Sequence, residues 1–245
     1  MSTVGLLGVV VPARDEEELL PACLAALAAA AQVPELVGTA VQVVVVADGC
    51  TDRTVTVARE AGVAVLESTD PAGNVGEARH RGVLWLLAAA ARAGVPPERV
   101  WLASTDADSQ VPVDWLGVQR TAASSGVDAF VGTVEIDDWT GFAPGAVVAF
   151  GAAYDAWRAG GAGAVHPHVH GANLGVRGSA YLRVGGFPPL TVSEDRGLVG
   201  ALLLSGAGVL RSPASPVRTS ARRVARSRGG LGTDLARLAT RFDRG

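Results

Sequence analysis

The chain of 245 residues contains no lysine; all 21 of its basic residues are arginine. A single isoleucine, Ile136, stands among many Ala, Val, Gly and Arg. That is the bias of a GC-rich genome and carries no functional signal. Cysteine is scarce as well. Cys23 and Cys50 form no disulfide framework and offer no metal spacing, and Cys23 falls on the apolar face of a predicted helix, so it reads as core. Long hydrophobic runs are missing too. The alanine-rich stretch Leu19–Ala31 is too short to span a bilayer. The start shows no basic n-region, because the run Val4–Val11 meets Pro12, Arg14 and acids. These absences argue against a stapled secreted domain and a transmembrane one, and the expectation is a soluble chain in a reducing cytoplasmic setting.

What is present is apolar and unevenly charged. With 49% hydrophobic residues the chain can build a sizeable core, and its length suits one large α/β domain. The net charge of −3 hides an asymmetry. Residues 1–210 carry 12 Arg against 22 Asp and Glu, a balance of −10, whereas residues 211–245 carry 9 Arg against 2 Asp, a balance of +7. A basic tail on an acidic body can meet phosphate or a membrane surface, or close onto its own body.

The first half alternates strand and helix signals. "VGLLGVVVP", "VQVVVVAD", "VAVLES" and "VWLAST" are short continuous apolar runs, as in strands buried on both faces. Between them lie "DEEELLPACLAALAAA", "TDRTVTVAREAG" and "NVGEARHRGVLWLLAAAARAG", each with helical spacing or a glycine stop, and a fourth helix is predicted over Pro112–Ser124. This repeat predicts a mainly parallel sheet with right-handed crossovers. After about Val127 the pattern changes. "VDAFVGTVEID" reads as a strand, "HGANLGVRG" as a loop entering a strand, "SEDRGLVGALLLSG" as a helix and "AGVLRSP" as a late strand. The predicted organisation is one domain: residues 1–126, then 127–210, a flexible basic loop at 211–232 and a closing helix at 233–245.

In open parallel sheets ligands gather at the carboxyl ends of the strands. Here those ends read "VPARDEE", "ADGCTD" and "STDADSQ", so the charged positions fall at one edge. Asp106 and Asp108, two residues apart on an extended segment, face the same way. Carboxylates so placed repel unless a cation joins them, and Mg²⁺ or Mn²⁺ accepts such a pair together with phosphate oxygens. A turn in which both aspartates cap the next helix fits the same residues. The loop is expected to be electrostatically crowded without ligand.

Seven motifs occur in order: "PARDEE", "ADGCTD", "NVGEARHRG", "DAD", "GANLGVR", "VGGF" and "SED". Over residues 4–206 the chain resembles the family 2 glycosyltransferases of the GT-A fold, a Rossmann-like mainly parallel sheet flanked by helices, with a smaller acceptor-binding C-terminal part. The resemblance implies a nucleotide-sugar transferase. Pro12, Arg14 and Glu16 match the loop that touches the nucleoside, and Asp48 the aspartate that bonds the base. Arg79 matches a basic residue near the diphosphate, Asp106 a ribose or sugar contact, and Asp108 the main metal ligand beside Asp106. Asp195 matches the catalytic base, with Glu194 orienting it or binding acceptor. The implied cofactor is Mn²⁺ or Mg²⁺, and the implied donor a UDP- or GDP-sugar. The acceptor is a small molecule or a lipid-linked one, and a homodimer is compatible. Ala47, Cys50 and Asp15 depart from the family pattern and blur which base is read. No Gln-x-x-Arg-Trp signature of processive synthases is present, which points to transfer of a single sugar.

Other residues keep two readings. Ser193–Glu194–Asp195 also reads as the start of a helix, which is compatible with placing a base. His166, His168 and His170, at spacing two, face one way on a strand. They fit a zinc site less well than an acceptor pocket lined by His170 and Asn173, with His166 and His168 in a solvated loop. Asp137, Asp138 and Trp139 suit sugar binding or an exposed turn. In the tail, Arg218, Arg222, Arg223, Arg226 and Arg228 read as a lid over diphosphate or as a disordered basic segment. With no aromatic interleaved and an acidic body, nucleic acid is not the expected partner. Two rival activities are a nucleotidyltransferase, which wants a glycine-rich loop after the first strand, and a non-catalytic nucleotide-sugar binder.

Overall fold

The computed structural model describes residues 4–68, 73–136, 138–161, 164–221, 235, 237 and 240–242. Its first half is the predicted alternation: β1 (Leu6–Ala13), α1 (Leu20–Ala30), β2 (Ala40–Asp48), α2 (Thr54–Glu60), β3 (Ala64–Ser68), α3 (Val75–Arg92) and β4 (Val100–Ser104). Then come β5 (Ser109–Gln110), α4 (Trp115–Ser124), β6 (Ala129–Val131), β7 (Val134–Glu135), α5 (Pro144–Arg158), β8 (Leu174–Arg177), α6 (Gly178–Arg183), α7 (Glu194–Leu204), β9 (Val209–Arg211) and β10 (Val217–Thr219).

The central sheet has seven strands in the order β3-β2-β1-β4-β8-β6-β9. β3, β2, β1 and β4 run parallel, and β8 runs antiparallel to both β4 and β6. The continuous apolar runs are explained by the layers they separate. Alternate residues of a strand point to opposite faces, and in β1 both sets are buried. Leu7, Val9 and Val11 pack with Leu20, Leu24 and Leu27 of α1 and with Trp115 and Leu116 of α4. Leu6 and Val10 pack with Val83 and Leu86 of α3, Tyr181 of α6 and Leu198 of α7. Cys23 lies in the first of these layers, as expected.

Differences arise after residue 127. The single strand predicted over Val127–Asp137 is two strands in different sheets, since β6 pairs with β8 and β9 while β7 joins a second sheet of order β5-β10-β7. The break falls where the Asn173 amide donates to the Thr133 carbonyl at 2.9 Å and turns the chain out of the first sheet. The loop expected over 211–232 likewise needs correction at its start. Val217–Thr219 is a strand, held because Val217 and Thr219 are buried and the backbone pairs with β5 and β7. Arg222, Arg223, Arg226 and Arg228 lie outside the described residues. Of the closing helix, residues 235, 237 and 240–242 are described, and they are helical. No helix among the described residues is long and apolar enough to cross a membrane.

Candidate functional site

Because β1, β2 and β4 are parallel and in register, their carboxyl ends bring Arg14–Glu17, Asp48–Asp52 and Asp106–Asp108 to one edge. The first two loops are stitched together by carboxylates that accept backbone N–H groups. Asp15 Oδ1 accepts from Thr51 N at 2.6 Å and Asp52 N at 3.3 Å; Asp52 Oδ2 accepts from Glu17 N at 3.0 Å; Glu17 Oε2 accepts from Arg53 N at 2.9 Å. Asp15 holds a left-handed φ of 51° to do this. Cys50 comes together with Asp15 and Asp52, their ligand atoms within 4.8 Å of one another, a grouping that sequence spacing did not indicate. Both carboxylates there already hold the loops.

Pro12 and Arg14 are half-buried beside Asp48 at the end of β2. Asp48 Oδ2 accepts from Asn74 N at 2.7 Å, and Asn74 Oδ1 caps α3 by accepting from Glu77 N at 3.1 Å. Gly73, at φ +64°, lies close against this pair, since a Cβ would fall 1.8 Å from Arg14 Nη1 and 3.2 Å from Asp48 Oδ2. Arg14, Asp48, Gly73 and Asn74 therefore share one corner. Glu16 is turned inward at the start of α1, where its carbonyl accepts from Leu20 N at 2.9 Å and its own N–H donates to Thr54 Oγ1 at 2.7 Å.

The next corner is built on Arg79 of α3. Only 3% exposed, it ion-pairs with Asp106 through Nη2 and with Glu194 through Nη1, and donates from Nε to Ser104 Oγ at 3.0 Å. Burial works against its charge, but Asp106, Glu194, Asp195 and Asp108 more than offset this and hold the guanidinium charged. All three of its nitrogens thus have partners inside the protein. Glu194, 5% exposed, is likewise turned inward. Burial raises its pKa, with Arg79 lowering and Asp195 adding to it.

Asp106 and Asp108 are both half-buried. Desolvation pushes Asp106 up to about 7 against the pull of Arg79, with Asp108, Glu194 and Asp195 adding to the rise, which is the crowding expected of this loop. Asp108 Oδ2 accepts from Ser220 Oγ at 2.8 Å, and Ser109 Oγ lies 2.9 Å from Thr219 Oγ1, so the segment after β10 returns to the Asp106–Asp108 turn. Two half-buried carboxylates side by side at this turn fit a hard divalent ion.

Asp195 is half-buried in the first turn of α7, following Ser193 at a left-handed φ of 61°. Its Oδ2 accepts from Gly171 N at 2.9 Å and its Oδ1 from Arg196 N at 2.7 Å. His170 precedes Gly171, and its Nε2 is 3.0 Å from the Tyr154 hydroxyl. Burial, then the neighbouring charges of His168, Arg196 and His166, lower His170 to about 3, so it is neutral. The three histidines do face one way, and the rings stack. His168 lies 4.1 Å from Tyr154 at 9°, and 5.9 Å from His170 at 13°. They are not a solvated loop: His166 is 1% exposed and donates from Nε2 to the Val131 carbonyl at 3.0 Å. Nor do they form a metal-ligand group among the described residues. Asp137 lies outside the described residues. Asp138 is exposed and its carboxylate accepts from Thr140 N at 2.9 Å, a turn.

Asn173, matched to the acceptor pocket in the sequence, is bonded within the protein. Wholly buried, it donates to the carbonyls of Thr133 at 2.9 Å and Ser215 at 3.0 Å and accepts from Trp115 Nε1 at 2.8 Å. Sequence reading missed Asn74, Gly171 and Tyr154. The first two lie inside quoted motifs, and a cap signal for α3 was available at Asn74–Glu77. Tyr154 had no signal.

The sequence model described as "Glycosyl transferase family 2" matches residues 8–159. No curated protein matches the chain. Solved structures share the architecture. Residues 1–349 of S. aureus TarS, in complex with UDP-GlcNAc, are 17% identical with TM-score 0.60, over 95% of this chain and 64% of that one. The mannosyltransferase PcManGT of Pyrobaculum calidifontis, in complex with GDP-Man and Mn²⁺, is 20% identical with TM-score 0.59, over 88% and 57%. Glucosyl-3-phosphoglycerate synthase of Mycobacterium tuberculosis, with Mn²⁺, UDP and glucosyl-3-phosphoglycerate, is 16% identical with TM-score 0.52, over 96% and 76%. The chain spans less than two thirds of the first two structures.

Proposed function

This chain belongs to glycosyltransferase family 2, and from that premise we propose that it transfers one sugar from a nucleoside-diphosphate donor to an acceptor hydroxyl, with inversion, in a step that needs Mn²⁺ or Mg²⁺. A UDP- or GDP-sugar is the donor class, in keeping with the UDP-GlcNAc and GDP-Man of the structural neighbours. Pro12, Arg14 and Asp48 take the nucleoside at the corner shared with Gly73 and Asn74, with Glu16 shaping that loop from within. Asp108, together with Asp106, would hold the metal, which when bound offsets charge on the departing diphosphate.

Asp195 takes the proton of the acceptor hydroxyl. The acceptor oxygen bonds to the anomeric carbon as the bond from that carbon to the phosphate oxygen breaks, and the electron pair leaves with the nucleoside diphosphate. The attack comes from the face opposite the leaving group, hence inversion. Two backbone N–H groups on the Asp195 carboxylate fix its direction, which a base requires before its pKa matters. His170, neutral and beside it, lines the acceptor side with Tyr154. The acceptor is a small molecule or a lipid-linked one, in the cytoplasm.

The observation that carries this reading is convergence: the turn after β4 and the start of α7, some 90 residues apart, meet on the single buried Arg79. The test is nucleotide release from a panel of UDP-, GDP- and dTDP-sugars with Mn²⁺ or Mg²⁺. Turnover should stop with EDTA and in Asp108→Ala; full turnover in either would overturn the metal-dependent scheme.

A further inference from the structure

The Arg79 guanidinium touches more than its two carboxylates. It lies over the Phe187 ring, 5.9 Å from the centroid, and directly beneath Gly171, where a Cβ would fall 2.6 Å from Nη2. Gly171 is the residue whose N–H holds Asp195 Oδ2 at 2.9 Å. One planar group therefore meets the turn that carries Asp106, the residue next to Asp195 in the chain, and the peptide that orients Asp195. An arginine suits this place because its rigid fork engages several oxygens at fixed angles, whereas a lysine offers a point charge on a flexible stem. Gly171 is required there for close approach, not for an unusual φ.

We propose that Arg79 is a positioning residue that sets Asp195 relative to the Asp106–Asp108 turn, acting through Glu194 and through the Gly171 peptide and not by contact with the donor diphosphate. The inference rests on the function proposed above and goes beyond it, because it assigns the placement of the base to a side chain on the donor half. Without the guanidinium, Asp106 and Glu194 are two carboxylates left without their cation, one of them deeply buried, and such groups rearrange. Misplacement of a reacting group by about 1 Å costs turnover on the order of 100-fold.

The experiment compares Arg79→Met, Arg79→Lys, Gly171→Ala, the Arg79→Met/Gly171→Ala pair and Asp195→Asn with the parent chain. The probe is nucleotide release from the UDP- or GDP-sugar turned over fastest with Mn²⁺. In Arg79→Met, kcat should fall about 100-fold while donor KM stays within about threefold, the signature of a lost transition-state arrangement. Arg79→Lys should recover part of that loss. Gly171→Ala should lower kcat about tenfold by pressing on the guanidinium, yet add nothing to Arg79→Met, where its methyl group has space. A raised donor KM with kcat retained would put Arg79 on the diphosphate and overturn the proposal, as would full additivity in the pair. Should Arg79→Met fail to fold, the same split in Arg79→Lys and Gly171→Ala decides. Turnover lost in Asp195→Asn but kept in Arg79→Met overturns this inference alone. Absent turnover on every donor, or turnover that survives Asp195→Asn, overturns the proposed function and this inference with it.

Discussion

The two halves of the molecule hold their polar groups in place by different means. In the first, strands of five to nine residues run parallel through two apolar layers, and their carboxyl ends are stitched by carboxylates that accept backbone N–H groups. In the second, β6 to β10 are two to four residues long, and the site side of the fold rests on stacked rings. Five of the 12 aromatic residues, Trp139, Phe142, Phe150, Tyr154 and Trp157, fall within residues 139–157. Backbone-anchored loops tolerate little variation, because each carboxylate lost releases N–H groups that tie one loop to the next. Stacked side chains can be exchanged for others of similar area. The proposed donor side is thus built for constancy, and the proposed acceptor side for variation.

The sharpest test of that contrast is Asp195, where the halves meet. Asp195→Asn should keep the fold and lose turnover by about 10²- to 10⁴-fold, the range a general base supplies, as read by nucleotide release at unchanged donor affinity. Next in size is Asn173→Ala, which removes the partner of the Trp115 N–H and of the Ser215 carbonyl, while the Thr133 carbonyl keeps the Val217 N–H at 3.1 Å. Denaturant unfolding should show a loss of about 3 kcal/mol, while acceptor KM of the folded fraction stays unchanged. A change in KM with stability intact would place Asn173 in the acceptor pocket.

A smaller effect concerns pH. His170 titrates at about 3 in the fold and near 6.5 when unfolded. Between these values the unfolded chain binds a proton that the folded chain does not, so stability is complete above about 6.5 and falls as pH drops towards 3. His170→Gln should flatten that slope, and Tyr154→Phe should keep it while altering acceptor KM. Parallel pH–stability curves for the parent and His170→Gln would contradict the neutral, buried histidine. Least of all should matter Arg59→Ala on the first half. Its ion pair with Glu67 is solvent-exposed, and its loss should move stability by less than about 0.5 kcal/mol.

The same contrast explains what was legible in the sequence. A strand buried on both faces is a continuous apolar run, and a parallel sheet puts each motif at one edge, so β1 to β4 and the places of Arg14, Asp48, Asp106 and Asp108 could be read directly. β5, β7 and β10 are too short to show a period of two. α5, "PGAVVAFGAAYDAWR", is apolar on most sides and shows no clear stripe, so neither the helix nor Tyr154 stood out. Residue type also says little about burial. Arg79 and Asn173 are polar side chains inside matched motifs, and nothing in their type announces that both are buried and bonded to protein groups.

The central claim, that donor diphosphate and metal are held at the Asp106–Asp108 turn, is tested most directly by calorimetric titration of UDP and of GDP, each with Mn²⁺ and with EDTA, into the parent chain and Asp108→Ala. One nucleotide should bind the parent only when Mn²⁺ is present and should fail to bind Asp108→Ala under any condition. Equal affinity in EDTA, or undiminished binding to Asp108→Ala, would contradict it.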